Sequence, residues 1–249
     1  MNKYSLRGKV ALVTGGSSGI GAATAQALAE NGAHVIVGYR SGKDRARALV
    51  EALPGDGHAV LSIDLSAFAE HASLADHVKK THGSLDILVN SAGHTKKVAH
   101  SDLSTMTPEL FASLLNDNVV GAFSITRALL GLLQATSAGV VVNVSSVSAF
   151  TGAGSNIAYC AAKAALDTMT MSLARAFGPS VRFLCVSPAA VDTDFVEGRS
   201  KEDLHKKAAG TPLGRVVTPA DVADAVLACV THLRTATGTR VVIDGGHTL

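Results

Sequence analysis

A phenol and an amine stand four residues apart at Tyr159 and Lys163, with Cys160, Ala161 and Ala162 between them. On a helix, positions i and i+4 share a face, so the ammonium is expected beside the phenol. At ~5 Å and an effective dielectric of ~20, the attraction is worth about 3 kcal/mol, or roughly two pK units. A phenol with an ordinary pKa of about 10 then falls towards neutrality, where it exchanges protons with an alcohol or carbonyl. Many helices carry this spacing by chance, and it gains weight from what precedes it. Asn143-Val144-Ser145-Ser146 closes an apolar run just upstream, where a hydroxyl could hydrogen-bond a substrate oxygen and polarise it. A lone serine there is more commonly a turn residue. The combination with Tyr159 and Lys163 is what makes Ser146 a candidate catalytic group.

A second kind of chemistry is written in glycines. Thr14-Gly15-Gly16-Ser17-Ser18-Gly19-Ile20-Gly21 follows an apolar run and opens a helical pattern. Glycines let a backbone approach a pyrophosphate, and the helix behind them offers free N–H groups and positive dipole character. The spacing is GxxxGxG, not the GxGxxG of the common dinucleotide fingerprint. An NAD site usually has an acid about 20 residues further on, bonding the ribose 2′-hydroxyl. Here that stretch reads Gly38-Tyr39-Arg40-Ser41-Gly42-Lys43, without a carboxylate. Arg40 and Lys43 could hold a 2′-phosphate by charge-assisted bonds. The alternative is that Arg40, Lys43, Arg45 and Arg47 decorate a solvated helix face. NADP(H) is therefore the expected cofactor, ahead of NAD(H).

These groups need a scaffold, and the apolar runs supply one. Residues 9–14, 34–39, 59–63, 85–89, 139–144, 181–186 and 240–243 are short, β-branched and stopped by glycine or polar residues, which predicts strands. Helices are expected between them over 19–31, 42–53, 67–82, from the Thr107-Pro108 start to about 134, 156–177, and after Thr218-Pro219. The strands are continuous apolar runs, not alternating ones, so helices should cover both sheet faces. Strict βαβ alternation predicts one doubly wound, Rossmann-like parallel sheet of about seven strands in a single α/β domain over residues 1–249. Residues 192–210 are charge-dense and interrupt the pattern. They suit a substrate lid, the alternative being a plain exposed helix pair.

Composition narrows the function classes. A 249-residue chain with 47% hydrophobic and 17% charged residues is no disordered segment. The net charge of +2, the absence of Trp and only 4% aromatics argue against nucleic acid as the main partner. No run approaches 18 apolar residues and residues 1–9 are polar, so neither a membrane span nor a secretion signal is expected, which suggests a cytoplasmic protein. Cys160, Cys185 and Cys229 are odd in number and far apart, consistent with small buried hydrophobes in a reducing compartment. His71, His77 and His82 share a helical stretch, and His94 and His100 follow a strand where they could face substrate, though loop histidines are usually solvated. None has metal-ligand spacing, and no metal is expected.

Taken together, Thr14–Gly21, Asp64-Leu65, Asn90-Ser91-Ala92-Gly93, Ser146 and Tyr159-xxx-Lys163 resemble the short-chain dehydrogenase/reductase family across essentially the whole chain. The resemblance implies an oxidoreductase that interconverts a ketone and a secondary alcohol, most like the 3-oxoacyl-acyl-carrier-protein reductases and related small-carbonyl reductases. A sugar, polyol or steroid-type hydroxyl dehydrogenase is the alternative. A dinucleotide-sensing regulator is disfavoured because both Tyr159 and Lys163 are retained. By resemblance, Tyr159 is the acid or base, Lys163 lowers its pKa and holds the nicotinamide ribose, and Ser146 orients the substrate oxygen. Asn118 of Asn118-Val119-Val120-Gly121 would support a proton-relaying water. The implied cofactor-binding set is Gly15, Ser17, Ser18, Gly19, Ile20, Gly21, Tyr39, Arg40, Ser41, Asp64, Leu65, Asn90, Ala92, Gly93, Tyr159, Lys163, Pro188, Val191 and Thr193. Within it, Asp64 and Leu65 are expected to flank the adenine. Two departures stand out: Ser91 replaces an asparagine, and Ala189 follows Pro188 where glycine is usual. Ala resists positive φ, so the loop meeting the nicotinamide was expected to take its own path. A homotetramer acting on a small carbonyl or alcohol is implied as well.

Overall fold

The apolar runs become strands, the inner ones buried on both faces and the two edge ones, Ala59–Ser62 and Thr239–Ile243, partly exposed. β1 (Val10–Thr14), β2 (His34–Tyr39), β3 (Ala59–Ser62), β4 (Ile87–Asn90), β5 (Gly139–Val144), β6 (Val181–Pro188) and β7 (Thr239–Ile243) form one parallel sheet. Its order is β3-β2-β1-β4-β5-β6-β7 in this computed structural model, which describes residues 4–249. The chain reverses direction across the sheet between β1 and β4, the place where such sheets open a crevice.

Helices α1 (Gly19–Glu30), α2 (Lys43–Ala52), α3 (Phe68–His71), α4 (Leu74–His82), α5 (Pro108–Leu115), α6 (Gly121–Gln134), α7 (Ser148–Thr151), α8 (Ile157–Phe177), α9 (Lys201–Ala209) and α10 (Pro219–Thr231) surround the sheet. Alternate strand residues feed opposite cores. Ala11, Val13, Val37 and Val142 pack with Leu28 of α1 and Val222 and Val226 of α10. Leu12, Ile36, Leu88, Val141 and Phe183 pack on the other face with Val78 of α4 and Leu129 and Leu133 of α6. Each such side chain, fully buried, contributes about 1.5–3 kcal/mol of transfer free energy. All three cysteines are buried free thiols. Among the described residues, no helix is long and apolar enough to cross a membrane.

Two expected helices are interrupted. The stretch 67–82 is not one helix but α3 and α4. His71 turns into the protein, its ring nitrogens bonded to the Asp64 carbonyl at 2.8 Å and the Ser124 hydroxyl at 2.9 Å. Ser73 Oγ then takes the Glu70 carbonyl at 2.9 Å, competing with the helical ladder. From Thr107 onward the helix starts as expected, with Thr107 Oγ1 accepting from the Leu110 N–H at 3.3 Å. It then passes through a π-helical turn, Asn116–Val120, before α6. Such turns re-aim side chains and recur at functional sites.

Candidate active site

A cleft of about 1350 Å³ runs along the carboxyl ends of the strands, lined by the segments that follow each of them. The glycine turn forms one side. Gly15 has φ +63°, and a Cβ there would lie 2.9 Å from Ala92 Cα. A Cβ on Gly21 would fall on the Gly15 carbonyl. The turn is therefore folded tightly onto the end of β4, where Thr14 Oγ1 accepts from the Ser91 and Ala92 N–H groups at 3.1 Å each. Ser18 stands at the N-cap of α1 but its side chain caps nothing, and the first turn of α1 carries no acid. Its N–H groups are left to an anion, as a pyrophosphate would require. Gly15, Ser17, Ser18, Gly19, Ile20 and Gly21 all line the cleft. The side chains present thus fit a dinucleotide at its phosphates.

At the end of β2, Arg40, Ser41 and Gly42 line the cleft. Lys43 does not; the second cation is Arg45. A Cβ on Gly42 would lie 2.7 Å from Arg45 Nη2 and 2.8 Å from Ser17 Oγ, so guanidinium and hydroxyl converge over that glycine. Tyr39 packs instead against the core. After β3, Ile63 and Leu65 line the wall. The Asp64 carboxylate is held within its own turn, accepting from Ser66 N and Oγ at 2.9 and 2.7 Å, and these bonds keep it below the usual carboxylate range. It is off the wall, where a place flanking the adenine was expected. Asn90 also points inward. Its Nδ2 donates to Asn143 Oδ1 at 2.8 Å and to Thr126 Oγ1 at 3.1 Å, tying β4 to β5 and α6. Ala92 and Gly93 remain on the wall.

The other side of the cleft carries the proton chemistry. Asn156 caps α8, accepting from the Tyr159 N–H at 2.7 Å, while its Nδ2 donates to the Lys96 carbonyl at 2.7 Å. That cap fixes the first turn of α8 and aims Tyr159 at the end of β5. Ser146 Oγ accepts from the Ser148 N–H at 3.1 Å, and its hydroxyl lies near enough to the Tyr159 phenol to favour the phenolate. Lys163, 5% exposed, donates to the Val144 carbonyl at 2.8 Å, with Nζ 5.5 Å from the Tyr159 ring centre. Burial pushes the Lys163 ammonium down to about 8. Burial also raises the Tyr159 phenol above its ordinary value, with the Ser146 hydroxyl and the Arg199 charge opposing. The downward pull on the phenol expected from Lys163 is thus outweighed in the protein itself. Desolvation works on both groups, and the ammonium donates to the Val144 carbonyl while lying over the Tyr159 ring.

Asn118 lies in the π turn, 2% exposed. Its Nδ2 donates to the His94 carbonyl at 2.8 Å and the Leu114 carbonyl at 2.9 Å, leaving Oδ1 buried without a protein partner. A Cβ on Gly93 would sit 2.5 Å from that oxygen. The neighbouring Asp117 reaches His94 Nδ1 at 2.9 Å, and both line the cleft. At the end of β6, the Pro188 carbonyl accepts from the Val147 N–H at 3.0 Å. Ala189 has ordinary negative φ and donates to the Ile243 carbonyl at 3.0 Å. Val191 is pinned beside Val217, and Thr193 meets the glycine turn, its Cγ2 3.3 Å from where a Gly19 Cβ would be. Pro188, Val191 and Thr193 line the cleft. Residues 192–210 are turns followed by α9, and Phe195 places its ring 6.0 Å from the Tyr159 ring.

Tyr39, Asp64, Asn90 and Asn118 therefore do not line the cleft, and the other residues of the implied catalytic and cofactor-binding set do. Arg45, Phe195 and Arg199 are wall residues outside the expected set. Among the described residues, no group of three or more His, Cys, Asp or Glu side chains could hold a metal ion.

Comparison with known proteins agrees with this layout. Residues 15–248 match the family described as enoyl-(acyl carrier protein) reductase. The chain is 38% identical over 246 residues to a Streptomyces violaceoruber protein assigned as ketoacyl reductase 2 of the granaticin polyketide synthase, covering 95% of each. It is 34% identical over 246 residues to cis-4-hydroxycyclohexanecarboxylate dehydrogenase of Sinomonas cyclohexanicum, covering 96% of each. The crystal structure of a protein from Burkholderia xenovorans, assigned as a short-chain dehydrogenase/reductase, superposes with a TM-score of 0.89 at 32% identity, over 96% of this chain and 98% of that one.

Proposed function

The chain belongs to the short-chain dehydrogenase/reductase family, whose members bind nicotinamide dinucleotides and interconvert hydroxyl and carbonyl groups, and from that premise we propose that it is an NADP(H)-dependent reductase of small ketones or 3-oxoacyl thioesters. The observation that carries the proposal is convergence. Ser146, Tyr159 and Lys163 share one cleft with a glycine turn and uncapped helix end suited to a pyrophosphate. The names of two relatives, a ketoacyl reductase and a hydroxycyclohexanecarboxylate dehydrogenase, point to the same pair of groups, a ketone and a secondary alcohol.

When bound, the dinucleotide supplies or accepts the hydride. The protein's own residues handle the proton. Burial keeps the Tyr159 phenol protonated at neutral pH, so in reduction it is the acid that hands its proton to the carbonyl oxygen. Ser146 Oγ, beside the phenol, donates to the same oxygen and stabilises charge developing there. Lys163, pushed down to about 8, can give up a proton near neutral pH and restore the phenol. Asn118 Oδ1, buried without a protein donor, suits a water that would feed Lys163. Arg40, Arg45, Ser17 and Ser41 line the end of β2 without a carboxylate, which supports a 2′-phosphate there and hence NADP(H) over NAD(H). Phe195 against Tyr159 supports residues 192–210 as a lid over the reacting atoms. Exposed Phe123, Phe150 and Met171 support self-assembly, as in a homotetramer.

The test is a panel of ketones and secondary alcohols assayed at the reduced-nicotinamide absorbance with each dinucleotide. Turnover of ketones with NADPH at higher kcat/KM than with NADH is expected. Absence of turnover with either dinucleotide across the panel would overturn the proposal.

A further inference from the structure

Arg199 lines the cleft from the segment between β6 and α9. Its neighbours Lys201 and Arg215 have carboxylate partners, Asp192 at 3.6 Å and Asp221 at 2.8 Å. Arg199 forms no ion pair among the described residues. One nitrogen, Nη2, donates to the Val191 carbonyl and to the Thr193 carbonyl at 3.2 Å. These bonds hold the guanidinium beside Thr193, which touches the glycine turn, and near Phe195, which packs on Tyr159. Nε and Nη1 bond no protein acceptor among the described residues and are not among the buried unpartnered atoms, so they remain accessible on a residue that lines the cleft. Asp192 lends it negative charge from beyond ion-pairing distance and is itself paired with Lys201, so this half-buried cation still gains from an anion brought into contact.

We propose that Arg199 binds a carboxylate carried by the substrate close to its carbonyl, so that the enzyme prefers oxo acids to neutral ketones. The inference rests on the ketone-reductase assignment above. A carboxylate can accept a charge-assisted bond from Nε or Nη1, which an ester or amide, lacking the charge, does not reward. The Arg199 charge also opposes the upward push on the Tyr159 phenol, which places it within electrostatic reach of the reacting oxygen. A pyrophosphate oxygen of the dinucleotide is the other anion that could offer the same chemistry, and the experiment separates the two.

The experiment measures kcat/KM for 4-oxocyclohexanecarboxylate and its methyl ester, and for 4-oxopentanoate and its methyl ester, with NADPH. It uses the wild type, Arg199→Ala and Arg199→Lys, and the dinucleotide Kd of each is read by fluorescence titration. In the wild type the acid-to-ester ratio should be about 10- to 100-fold, the range of a hydrogen-bonded charge. Arg199→Ala should bring it within about threefold, and Arg199→Lys, which keeps the charge but loses the guanidinium's fixed geometry, should fall between. Esters used as well as acids by the wild type would overturn the proposal. So would a ratio unmoved by Arg199→Ala, or one unmoved while the dinucleotide Kd rises about tenfold, which would assign the guanidinium to the pyrophosphate. If no ketone is reduced, the reductase assignment fails by itself. Thermal stabilisation of the NADP-loaded protein by 4-oxocyclohexanecarboxylate, present in the wild type and absent in Arg199→Ala, then decides the carboxylate site separately.

Discussion

Replacing Arg45 by alanine tests the phosphate end of the site on its own. Arg45 Nη2 and Ser17 Oγ meet over Gly42, and Arg40 and Ser41 complete the same corner of the cleft. Both arginines are exposed, so water screens them and each bond to a 2′-phosphate should be worth about 1–1.5 kcal/mol, the low end for a charged hydrogen bond. Since about 1.4 kcal/mol is tenfold, Arg45→Ala should lower the ratio of kcat/KM for NADPH over NADH roughly tenfold. Arg40→Ala with Arg45→Ala should lower it by about 30- to 100-fold, short of additivity because the two share one phosphate. The preference should also shrink in salt, because screening lengths fall from about 10 Å at 0.1 M to about 3 Å at 1 M. Lys43→Ala serves as the control, since Lys43 does not line the cleft. Initial rates at 340 nm, with each dinucleotide varied at fixed ketone, read all of this. An Arg45→Ala enzyme that loses NADPH and NADH efficiency by the same factor would refute the assignment, as would a larger effect at Lys43.

Further outcomes follow from the proton side of the cleft. Tyr159→Phe should lower kcat by about 10²–10⁴-fold with dinucleotide affinity, read by fluorescence titration, within about threefold of wild type. Lys163→Met should abolish most turnover yet raise the melting temperature at pH 7. The buried ammonium has a folded pKa of about 8 against an ordinary 10.5, so it opposes folding by up to about 3 kcal/mol below pH 8. That cost is relieved as pH rises from 8 towards 10.5, so the gain in melting temperature should be smaller at pH 10 than at pH 7. Gly93→Ala should destabilise by about 1–3 kcal/mol in urea unfolding and reduce kcat, because its Cβ would press on Asn118 Oδ1 at 2.5 Å.

The sheet was legible because its inner strands are buried on both faces and so read as uninterrupted apolar runs such as Val140-Val141-Val142. Tyr159, Lys163 and Ser146 were legible for a similar reason, helical spacing and strand ends being local properties. What escaped depends on partners far away in sequence. The break after His71 comes from Ser124 on a different helix. Asn90 faces inward because Asn143 and Thr126 await it, and nothing in Asn90-Ser91-Ala92-Gly93 states that. Periodicity gives no means of telling a π turn from the α-helix around it, so the aim of Asn118 was invisible. Lys43 and Arg45 both begin the same helix, and only the fold over Gly42 selects Arg45. Arg199 belongs to no repeat or motif at all.

The same groups that suit the cleft to proton transfer are the ones that burden the fold. Lys163 is a buried ammonium, Asn118 Oδ1 a buried acceptor without a protein donor, and Tyr159 a phenol whose ionisation burial opposes. Each unpaired buried polar group costs about 1–3 kcal/mol. The cost is tolerable because the elements carrying these groups are fixed by packing that does not involve them. β5 is buried along its whole length, and α8 is anchored by the Asn156 cap and by Leu166 in the core. A site held this way need not rearrange to receive charge. It follows that stabilising substitutions should be easiest to find at Lys163 and Asn118 and should come with lost turnover. Equivalent substitutions in the core, such as Phe183→Ala, should cost about 3–5 kcal/mol with no catalytic compensation.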